Sequence, residues 1–305
     1  MKLIATSVVR GSFQGESHGG VYLLDLDQQQ VTQPLDWNTA DIDWQGRGWD
    51  RGLRGIAFHA GLVYIAASDE LFAYTPDFQP VGSWRNPYLK HCHEISVHEN
   101  TLFLTSTAYD SILGFDLIEK KFNWALHVDL EGLNYKGSIY DPYGDEGPLS
   151  LNKLHLNMVT ATTGGLYISG RKSGGMLLFN GETIHMSAML PPGTHNAQPF
   201  REGVLFNDSD SDVVRYASRS GDEDRALKVP LYPSSDLTHQ DFDDSRTARQ
   251  GFARGLCVIN ERLIAGGSSP STICVHDLQE GKTALKVNLT MDIRNAVHGL
   301  EVWPY

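Results

Sequence analysis

The segment HEISVHENTLFLT at residues 93–105 combines two strand-like runs with a tight turn between them, and five other segments match it. Each segment opens with His or Arg, and successive segments start about 40 residues apart, except where a long link lengthens the spacing to about 60. A repeat of that period is typical of propellers and solenoids. The other segments are RGIAFHAGLVYIA (54–66), HLNMVTATTGGLYIS (155–169), HNAQPFREGVLFN (195–207), RGLCVINERLIAG (254–266) and HGLEVWPY (298–305).

Two further strand-like runs accompany each pair. The third runs are GVYLLDL, ELFAYT, SILGFDL, GMLLFN, DVVRYA and TICVHDL. The fourth runs are QVTQPLDW, PVGSW, FNWALHV, TIHMSAM, RALKVPL and TALKVNL. Six units of four strands predict an all-β fold, a six-bladed β-propeller with four-stranded blades. A β-sandwich does not require six matched units, and a β-helix has much shorter rungs.

The two ends of the chain complete one blade. HGLEVWPY at 298–305 lacks a second strand, and MKLIATS at 1–7 has the pattern of that missing strand. We therefore expect the carboxy-terminal inner strand to join the amino-terminal strands and close the ring, which removes exposed sheet edges. The whole chain, 1–305, is predicted to form a single propeller domain, and its 41% hydrophobic content can supply a substantial core.

Charge and targeting signals narrow the class of partner. The net charge of -12 argues against nucleic acid and anionic membranes as partners, because both are bound mainly through Lys and Arg. The amino terminus lacks the long apolar run of an export signal. Three cysteines are too few for a disulfide framework, so a cytoplasmic location is expected. The sequence does not specify an oligomeric state.

The first position of the repeat carries the candidate chemistry. Side chains at the mouth of an inner strand can point toward the propeller axis, so these six are expected to converge. Neutral imidazoles around a transition metal avoid the repulsion of crowded cations, and Fe, Zn or Cu suits nitrogen ligands better than Ca or Mg does. In ring order, the six residues are Arg54, His93, His155, His195, Arg254 and His298.

The ring divides into two kinds of side chain with different predicted roles. The histidines His93, His155, His195 and His298 are predicted to bind the metal. The arginines Arg54 and Arg254 are predicted to bind the anionic group of a small substrate. His298 lies between the two arginines in ring order, so it is either the fourth ligand or a catalytic acid/base. A metal-free anion site and a structural ring linked by water are the alternatives.

Three of the links between blades are long. The long links lead into the inner strands that start at Arg54, His155 and Arg254. They comprise residues 36–53, 130–154 and 232–253. Long irregular loops in compact domains are often lids, so we expect these links to roof the channel. Their aromatic and charged residues are Trp37, Trp44, Trp49, Tyr140, Tyr143, Asp241, Phe242 and Arg249.

The four ring histidines resemble the site of the carotenoid-cleaving oxygenases, in which four inner-strand histidines of a propeller hold a non-haem ferrous ion. The resemblance is confined to these histidines, since that family has seven blades and nothing that corresponds to the two arginines. Lactonases of the gluconolactonase type have six blades but bind metal through carboxylate and amide groups. The resemblance implies Fe(II) as the favoured metal, with Zn or Cu possible.

The sequence thus favours a metal-dependent enzyme that acts on a small anionic or carboxylate substrate by oxidation or lyase chemistry. A zinc-dependent hydrolase or lyase is an alternative, because zinc can activate water. A non-enzymatic propeller that binds a ligand or a protein is the other alternative, because propellers host many functions.

Overall fold

A computed structural model describes residues 1–12, 15–37, 52–132, 134–240 and 249–305. Apart from two short 3-10 turns, Thr107–Tyr109 and Ser234–Asp236, all of its regular elements are strands. The strands of the described residues are β1 (Lys2–Val9), β2 (Gly20–Asp25), β3 (Gln30–Asp36), β4 (Leu53–His59), β5 (Leu62–Ala67), β6 (Glu70–Tyr74), β7 (Pro80–Arg85), β8 (Ile95–His98), β9 (Thr101–Ser106), β10 (Ser111–Asp116), β11 (Lys121–Glu131), β12 (Asn134–Tyr140), β13 (Leu156–Thr162), β14 (Gly165–Gly170), β15 (Gly175–Phe179), β16 (Ile184–Met189), β17 (Thr194–Phe200), β18 (Gly203–Asp208), β19 (Val213–Ser218), β20 (Asp224–Lys228), β21 (Arg254–Val258), β22 (Leu263–Ser268), β23 (Thr272–Asp277), β24 (Lys282–Asn288) and β25 (Asn295–Val302).

These strands form six antiparallel sheets within the described ranges, and each sheet is one blade. Blade 1 is β4 to β7, blade 2 is β8 to β12, blade 3 is β13 to β16, blade 4 is β17 to β20, and blade 5 is β21 to β24. Blade 6 has the order β25, β1, β2, β3. Each inner strand lies beside the inner strand of the next blade, and β25 lies beside β4. The predicted six-bladed propeller is confirmed.

Blade 6 closes the ring in the predicted way. β25 pairs antiparallel with β1, with Leu3 opposite Val302 and Val9 opposite Asn295. Leu3 is fully buried in an apolar cluster that includes Val297 and Leu300 of β25. The first and last strands of the chain therefore share one sheet, and their burial joins the two ends of the domain.

Blade 2 differs from the prediction because it has a fifth strand. Residues 130–154 were expected to be an irregular link, but β11 continues to Glu131 and turns into β12, which pairs along it. Tyr135 of β12 donates a hydrogen bond from its hydroxyl to the Ser173 carbonyl in blade 3, at 2.5 Å. The first half of this link thus forms an outer edge that bridges two blades.

The hydrophobic core lies between adjacent blades. Leu102, Leu104 and Phe115 of blade 2 are fully buried in the same cluster as Tyr64 and Leu71 of blade 1. A similar cluster joins blades 2 and 3. Burial of apolar side chains on both faces of a blade holds the sheets around the axis.

Candidate functional site

The six predicted ring residues meet at one end of the central channel. Imidazole centroids are 5.6 Å apart for His93 and His155, and 6.4 Å apart for His155 and His195. His93 and His298 are 5.9 Å apart although blade 1 lies between their blades. His298 therefore lies as close to His93 as neighbouring ring histidines lie to one another. Arg54, on the intervening strand, is only 1% exposed.

Bulges in the inner strands turn these side chains toward the axis. The pairing register shifts between Leu53 and Ile56 in β4, and similar shifts lie at or just after the ring positions of β13, β17 and β21. His155 itself has a left-handed backbone with φ of 54°. A bulge inserts one residue and rotates the strand, so it can re-aim a side chain that plain alternation would point elsewhere.

Glycine follows the ring residue where inner strands approach closely. A Cβ on Gly55 would lie 2.7 Å from the His93 carbonyl oxygen, and one on Gly299 would lie 2.2 Å from the Arg54 carbonyl oxygen. The Gly55 N–H also donates to the His93 carbonyl at 2.7 Å. Backbone contact between blades at this level keeps the ring narrow, so its side chains meet.

Hydrogen bonds at Nδ1 fix the orientation of three ring histidines. The Nδ1–H of His93 donates to the His91 carbonyl at 2.8 Å, and that of His195 donates to the Gly193 carbonyl at 2.8 Å. His155 Nδ1 lies 3.1 Å from Asn152 Oδ1. A carbonyl can only accept, so the proton is on Nδ1 and the lone pair is on Nε2.

Hydroxyl groups connect two of these histidines to the next blade. Thr107 Oγ1 lies 2.9 Å from His93 Nδ1 and donates to the Leu156 carbonyl in β13 at 2.5 Å. Ser209 Oγ lies 3.0 Å from His195 Nδ1 and donates to the Ala253 carbonyl beside β21 at 2.9 Å. The orientation of each ring is therefore set partly by a neighbouring strand.

Burial and the arginines keep the imidazoles neutral. Desolvation lowers the pKa of His93, His195 and His298 well below the usual value of a histidine, and nearby arginines lower it further. The pKa of His155 falls to about 3 for the same reasons. Removing an imidazolium from water is costly, and a guanidinium beside it repels it. Neutral histidines are the form that binds metals.

Two of the Nε2 atoms lie in buried surroundings. The Nε2 atoms of His195 and His298 have no hydrogen-bond partner within the part of the chain that the structure describes. A buried polar atom without a partner costs free energy. A metal ion would satisfy both atoms, and a ligand that donates a proton would satisfy that of His195, whose own proton lies on Nδ1.

The histidine donor atoms suit a transition metal, but the imidazoles stand further apart than around a bound ion. With metal–nitrogen bonds of about 2.1 Å, imidazoles on one tetrahedral ion have centroids about 5.2 Å apart. The measured separations are wider by about 0.4 to 1.2 Å. As the side chains stand, no group of three or more His, Cys, Asp or Glu residues in the described ranges is arranged to hold a metal ion. The donors fit a transition metal, provided that the ring contracts.

The arginine half of the ring is buried with the histidines. Arg254 is 7% exposed, and its guanidinium carbon lies 4.0 Å from the centroid of Phe252. Its Nη1 donates to Ser209 Oγ at 3.4 Å. Arg54 and Arg254 both lower the pKa of His93 and His298, which shows that their charges reach the centre. An anion in the channel would meet two guanidinium groups.

A second polar layer, which was not predicted from the sequence, lies next to the ring and contains Glu94, Asn196 and Glu301. Glu94 follows His93, and its Oε1 accepts a hydrogen bond from Asn196 Nδ2 at 2.8 Å. Asn196 follows His195 in the same way. Burial raises the pKa of Glu94, and it raises the pKa of Glu301 to about 8. The acidic residue directly after His93 is the signal in the sequence that could have revealed this layer.

Among the roof residues that the structure describes, Arg249 alone lies near the ring. Arg249 lies beside Phe252, with its guanidinium carbon 4.9 Å from the ring centroid. Trp37 instead packs edge-on against Phe72 in the core, and Tyr140 lies on the outer strand β12. Tyr143 is exposed. Trp44, Trp49, Asp241 and Phe242 lie outside the described residues.

Solved structures similar to this chain are propellers of diverse kinds. A chain of a nidogen/laminin complex has a TM-score of 0.61 at 10% identity, with 99% of this chain and 98% of that chain covered. A protein of unknown function from Bacteroides caccae has a TM-score of 0.59 at 10% identity, with 100% and 99% covered. The WD40 repeats of RRP9 have a TM-score of 0.50 at 10% identity, with 79% and 65% covered. At such identity the likeness shows the fold alone.

Sequence comparisons do not place the chain in a family. No protein-family model matches it. No curated protein matches it either. None of the described residues belongs to a helix long and apolar enough to cross a membrane.

Proposed function

We propose that the channel is the active site of a metal-dependent enzyme, in which His93, His155, His195 and His298 hold a transition metal and Arg54 and Arg254 hold a small anionic substrate. The observation that carries the proposal is the set of Nδ1 contacts, which turn neutral imidazoles so that Nε2 is the free donor atom. Metal-bound histidines characteristically donate their other N–H to a carbonyl or carboxylate in this manner.

The surroundings of the ring favour a cation and an anion together. Lone pairs on Nε2 attract a Lewis acid but repel an anion, whereas the two guanidinium groups attract an anion. A metal bound by neutral imidazoles keeps its full positive charge, so an anionic substrate that reached it would be held from both sides. The chemistry of the ring therefore accounts for the presence of histidine and arginine at equivalent positions.

The chain's own residues have separate tasks in this proposal. Ferrous iron, the favoured metal, would supply redox or Lewis-acid chemistry when bound. Arg54 and Arg254 would orient the anionic group of the substrate by charge-assisted hydrogen bonds. The depressed pKa of His298 and its closeness to His93 favour its role as fourth ligand over that of proton donor.

Metal analysis of untagged protein, purified without added metal, tests this function. We expect close to one transition metal per chain, and loss of most of it in the His155→Ala and His195→Ala variants. His276→Ala is the matched control, because His276 is also buried and also has a lowered pKa, but lies on β23 outside the ring. Metal-free protein that retains full activity would contradict the proposal.

Metal identity and oxygen dependence separate the chemistries. Iron with oxygen consumption during turnover supports oxidation, and iron without it supports a lyase. Zinc with the same ring dependence supports hydrolysis or elimination instead, because zinc has no redox chemistry.

A metal-free site for a hydroxy acid is the second candidate. The wide spacing of the imidazoles favours it, since the ring can stay as it stands. A ligand hydroxyl would donate to Nε2 of His195 while its carboxylate pairs with the arginines. In this case the purified protein contains no metal, and ring variants lose ligand binding alone.

A further inference from the structure

A cavity of about 550 Å³ lies between blades 2 and 3, away from the ring. His98 and Thr162 line it, and they are the last residues of β8 and β13. The ring residues His93 and His155 lie just before the same two strands, so the cavity is at the opposite end of the inner strands. Its volume is in the range of small-molecule pockets, about 300–1,000 Å³. The cavity can therefore hold a ligand apart from the proposed active site.

Aromatic side chains form an apolar corner in this cavity. Trp124 and Phe103 of blade 2 are perpendicular to each other, with centroids 5.8 Å apart, and Phe179 of blade 3 lies 6.2 Å from Trp124. Trp124 and Phe103 are only partly buried, and Ile139 of β12, which lines the same cavity, is 59% exposed. A ligand with apolar surface would cover these side chains and gain free energy from their burial.

The cavity lining offers no ion-pair partner to a charged ligand. Within the described residues it contains no Asp, Glu, Lys or Arg, although these residues make up 20% of the chain. A charged group placed there would lose hydration without gaining a paired charge. The electrostatics of the cavity therefore favours an uncharged ligand.

Asn180 presents a hydrogen-bond donor to the cavity. Its Oδ1 accepts from the N–H groups of Glu182 and Thr183 at 3.0 and 2.8 Å and closes the turn after β15, so its Nδ2 is the remaining polar atom. Carboxylates close the corresponding turns after the third strands of three other blades, at Asp25, Asp116 and Asp277. Since Asp forms this turn as well as Asn does, the amide adds a donor that the turn does not require.

Asn123 presents an acceptor to the same cavity. Its Nδ2 donates to Asp116 Oδ2 at 3.3 Å, which leaves its Oδ1 for a ligand. A hydroxyl group of a ligand could face either an amide or a carboxylate at position 180, because it can donate as well as accept. A carbonyl can only accept, and a carboxylate would repel it. The amide of Asn180 thus favours a ligand with a carbonyl, and Asn123 favours one that also carries a donor.

We propose that the cavity between blades 2 and 3 binds an uncharged sugar with an acetamido group. The CH face of the sugar ring and the acetamido methyl group pack in the corner of Trp124 and Phe103. The acetamido carbonyl accepts from Asn180 Nδ2, and its N–H donates to Asn123 Oδ1. The sugar hydroxyls lie near His98, whose side chain also lines the cavity. This site uses none of the ring residues, so it goes beyond the proposed function and is independent of it.

Calorimetric titration of the full chain with three uncharged probes tests the site. N-acetylglucosamine carries the sugar ring and the acetamido group, glucose carries the ring alone, and N-methylacetamide carries the amide alone. We expect N-acetylglucosamine to bind about tenfold or more tightly than either of the other probes, because each of them lacks part of the contacts.

Two variants assign the binding to the cavity. Asn180→Asp keeps the turn acceptor but replaces the donor by an anion, and it should weaken the binding of N-acetylglucosamine about tenfold or more. Trp124→Leu removes the aromatic face and should weaken it by a similar factor. Asn260→Asp is the matched control, because Asn260 Oδ1 closes an exposed turn in the same way, by accepting from the Arg262 and Leu263 N–H groups at 2.9 and 2.8 Å, outside the cavity. The control should bind like the wild type.

Equal affinity for N-acetylglucosamine and glucose would overturn the role of the acetamido group, and equal affinity for N-methylacetamide would overturn the sugar. Wild-type affinity in both cavity variants, or no binding of N-acetylglucosamine up to about 10 mM, would overturn the site itself. Metal content of the same samples reports on the ring separately. Asn180→Asp should leave it unchanged, so failure of this inference is distinguishable from failure of the proposed function.

Discussion

Replacement of Gly299 by alanine is the sharpest test of how the ring is held together. Gly299 follows His298 on β25, and an added Cβ would lie 2.2 Å from the Arg54 carbonyl oxygen and 2.7 Å from Thr6 Oγ1. Thr6 Oγ1 accepts from the Gly299 N–H at 2.9 Å and donates to the Arg54 carbonyl at 2.5 Å. The added methyl group would therefore clash where β25 of blade 6 contacts β4 of blade 1.

The magnitude follows from these distances. Ordinary contact requires about 3.4 Å, so β25 and β4 must separate by about 1 Å, and overpacking of this kind costs about 1–3 kcal/mol. Loss of the two Thr6 hydrogen bonds adds about 0.5–1.5 kcal/mol each. Alanine also lowers the conformational entropy of the unfolded chain, which offsets about 0.4–1 kcal/mol of this loss of stability. We expect the free energy of unfolding to fall by about 1–6 kcal/mol, with a midpoint of about 3 kcal/mol.

Urea-induced unfolding of the wild type and two variants measures this change. Gly164→Ala is the matched control, since Gly164 is exposed and its Cβ would have only Thr162 Oγ1 within 4 Å, at 3.7 Å. It should shift stability by about 0.5 kcal/mol or less. Gly299→Ala should also separate Arg54 from His298 and weaken metal or anion binding. Equal stability of the two variants would refute the close packing of the inner strands.

Three further predictions concern groups around the ring. Ser209→Ala removes the buried hydroxyl that contacts His195 and the Ala253 carbonyl, and it should lower the free energy of unfolding in urea by about 1–3 kcal/mol. Ser211→Ala, at an exposed position, should be near neutral, and equal effects of the two changes would contradict the role of Ser209 as a bridge between blades. Burial raises the folded pKa of Glu301 to about 8, so its proton is retained in the folded state while the unfolded state loses it, and this group makes stability fall by about 1.4 kcal/mol per pH unit between about pH 5 and pH 8. Glu301→Gln should remove that part of the slope when unfolding is measured at several pH values, and an unchanged slope would show that the carboxyl is solvated. Asp110→Ala removes the acceptor of the Lys153, Leu154 and His155 N–H groups, at 2.5, 3.1 and 2.9 Å, and should lower the free energy of unfolding by about 3–5 kcal/mol in the same assay. Asp116→Ala, whose carboxylate accepts N–H groups of a solvent-exposed turn, should cost about 1 kcal/mol. Similar losses in the two variants would show that water replaces either carboxylate equally well.

Local patterns in the sequence were sufficient for the architecture. Alternation of apolar residues and the turn residues between strands depend on neighbours in the chain, so the runs GVYLLDL and TICVHDL were readable as strands β2 and β23. The repeat also aligned the six inner strands by their first residues. The convergence of Arg54, His93 and the others followed from that alignment, because equivalent positions in a propeller lie at equivalent distances from the axis.

The fifth strand of blade 2 was not predicted. Residues 134–140 were read as part of a long link, since the repeat has no matching segment elsewhere in the chain. Strand formation there depends on β11 as a partner and on the hydrogen bond from Tyr135 to blade 3. Cross-strand partners decide β structure more than local preference does.

The sequence by itself determined the number of blades, the closure of the ring and the identity of the six ring residues. Only the tertiary structure decided which atoms those residues present. Thr107 and Ser209 orient His93 and His195, and Arg10, in the turn after β1, reaches Phe252, which lies more than two hundred residues away in the chain. The physical reason is that periodicity records which face of a strand is buried. The tautomer, the charge and the partners of a buried side chain depend instead on groups that folding brings from other blades.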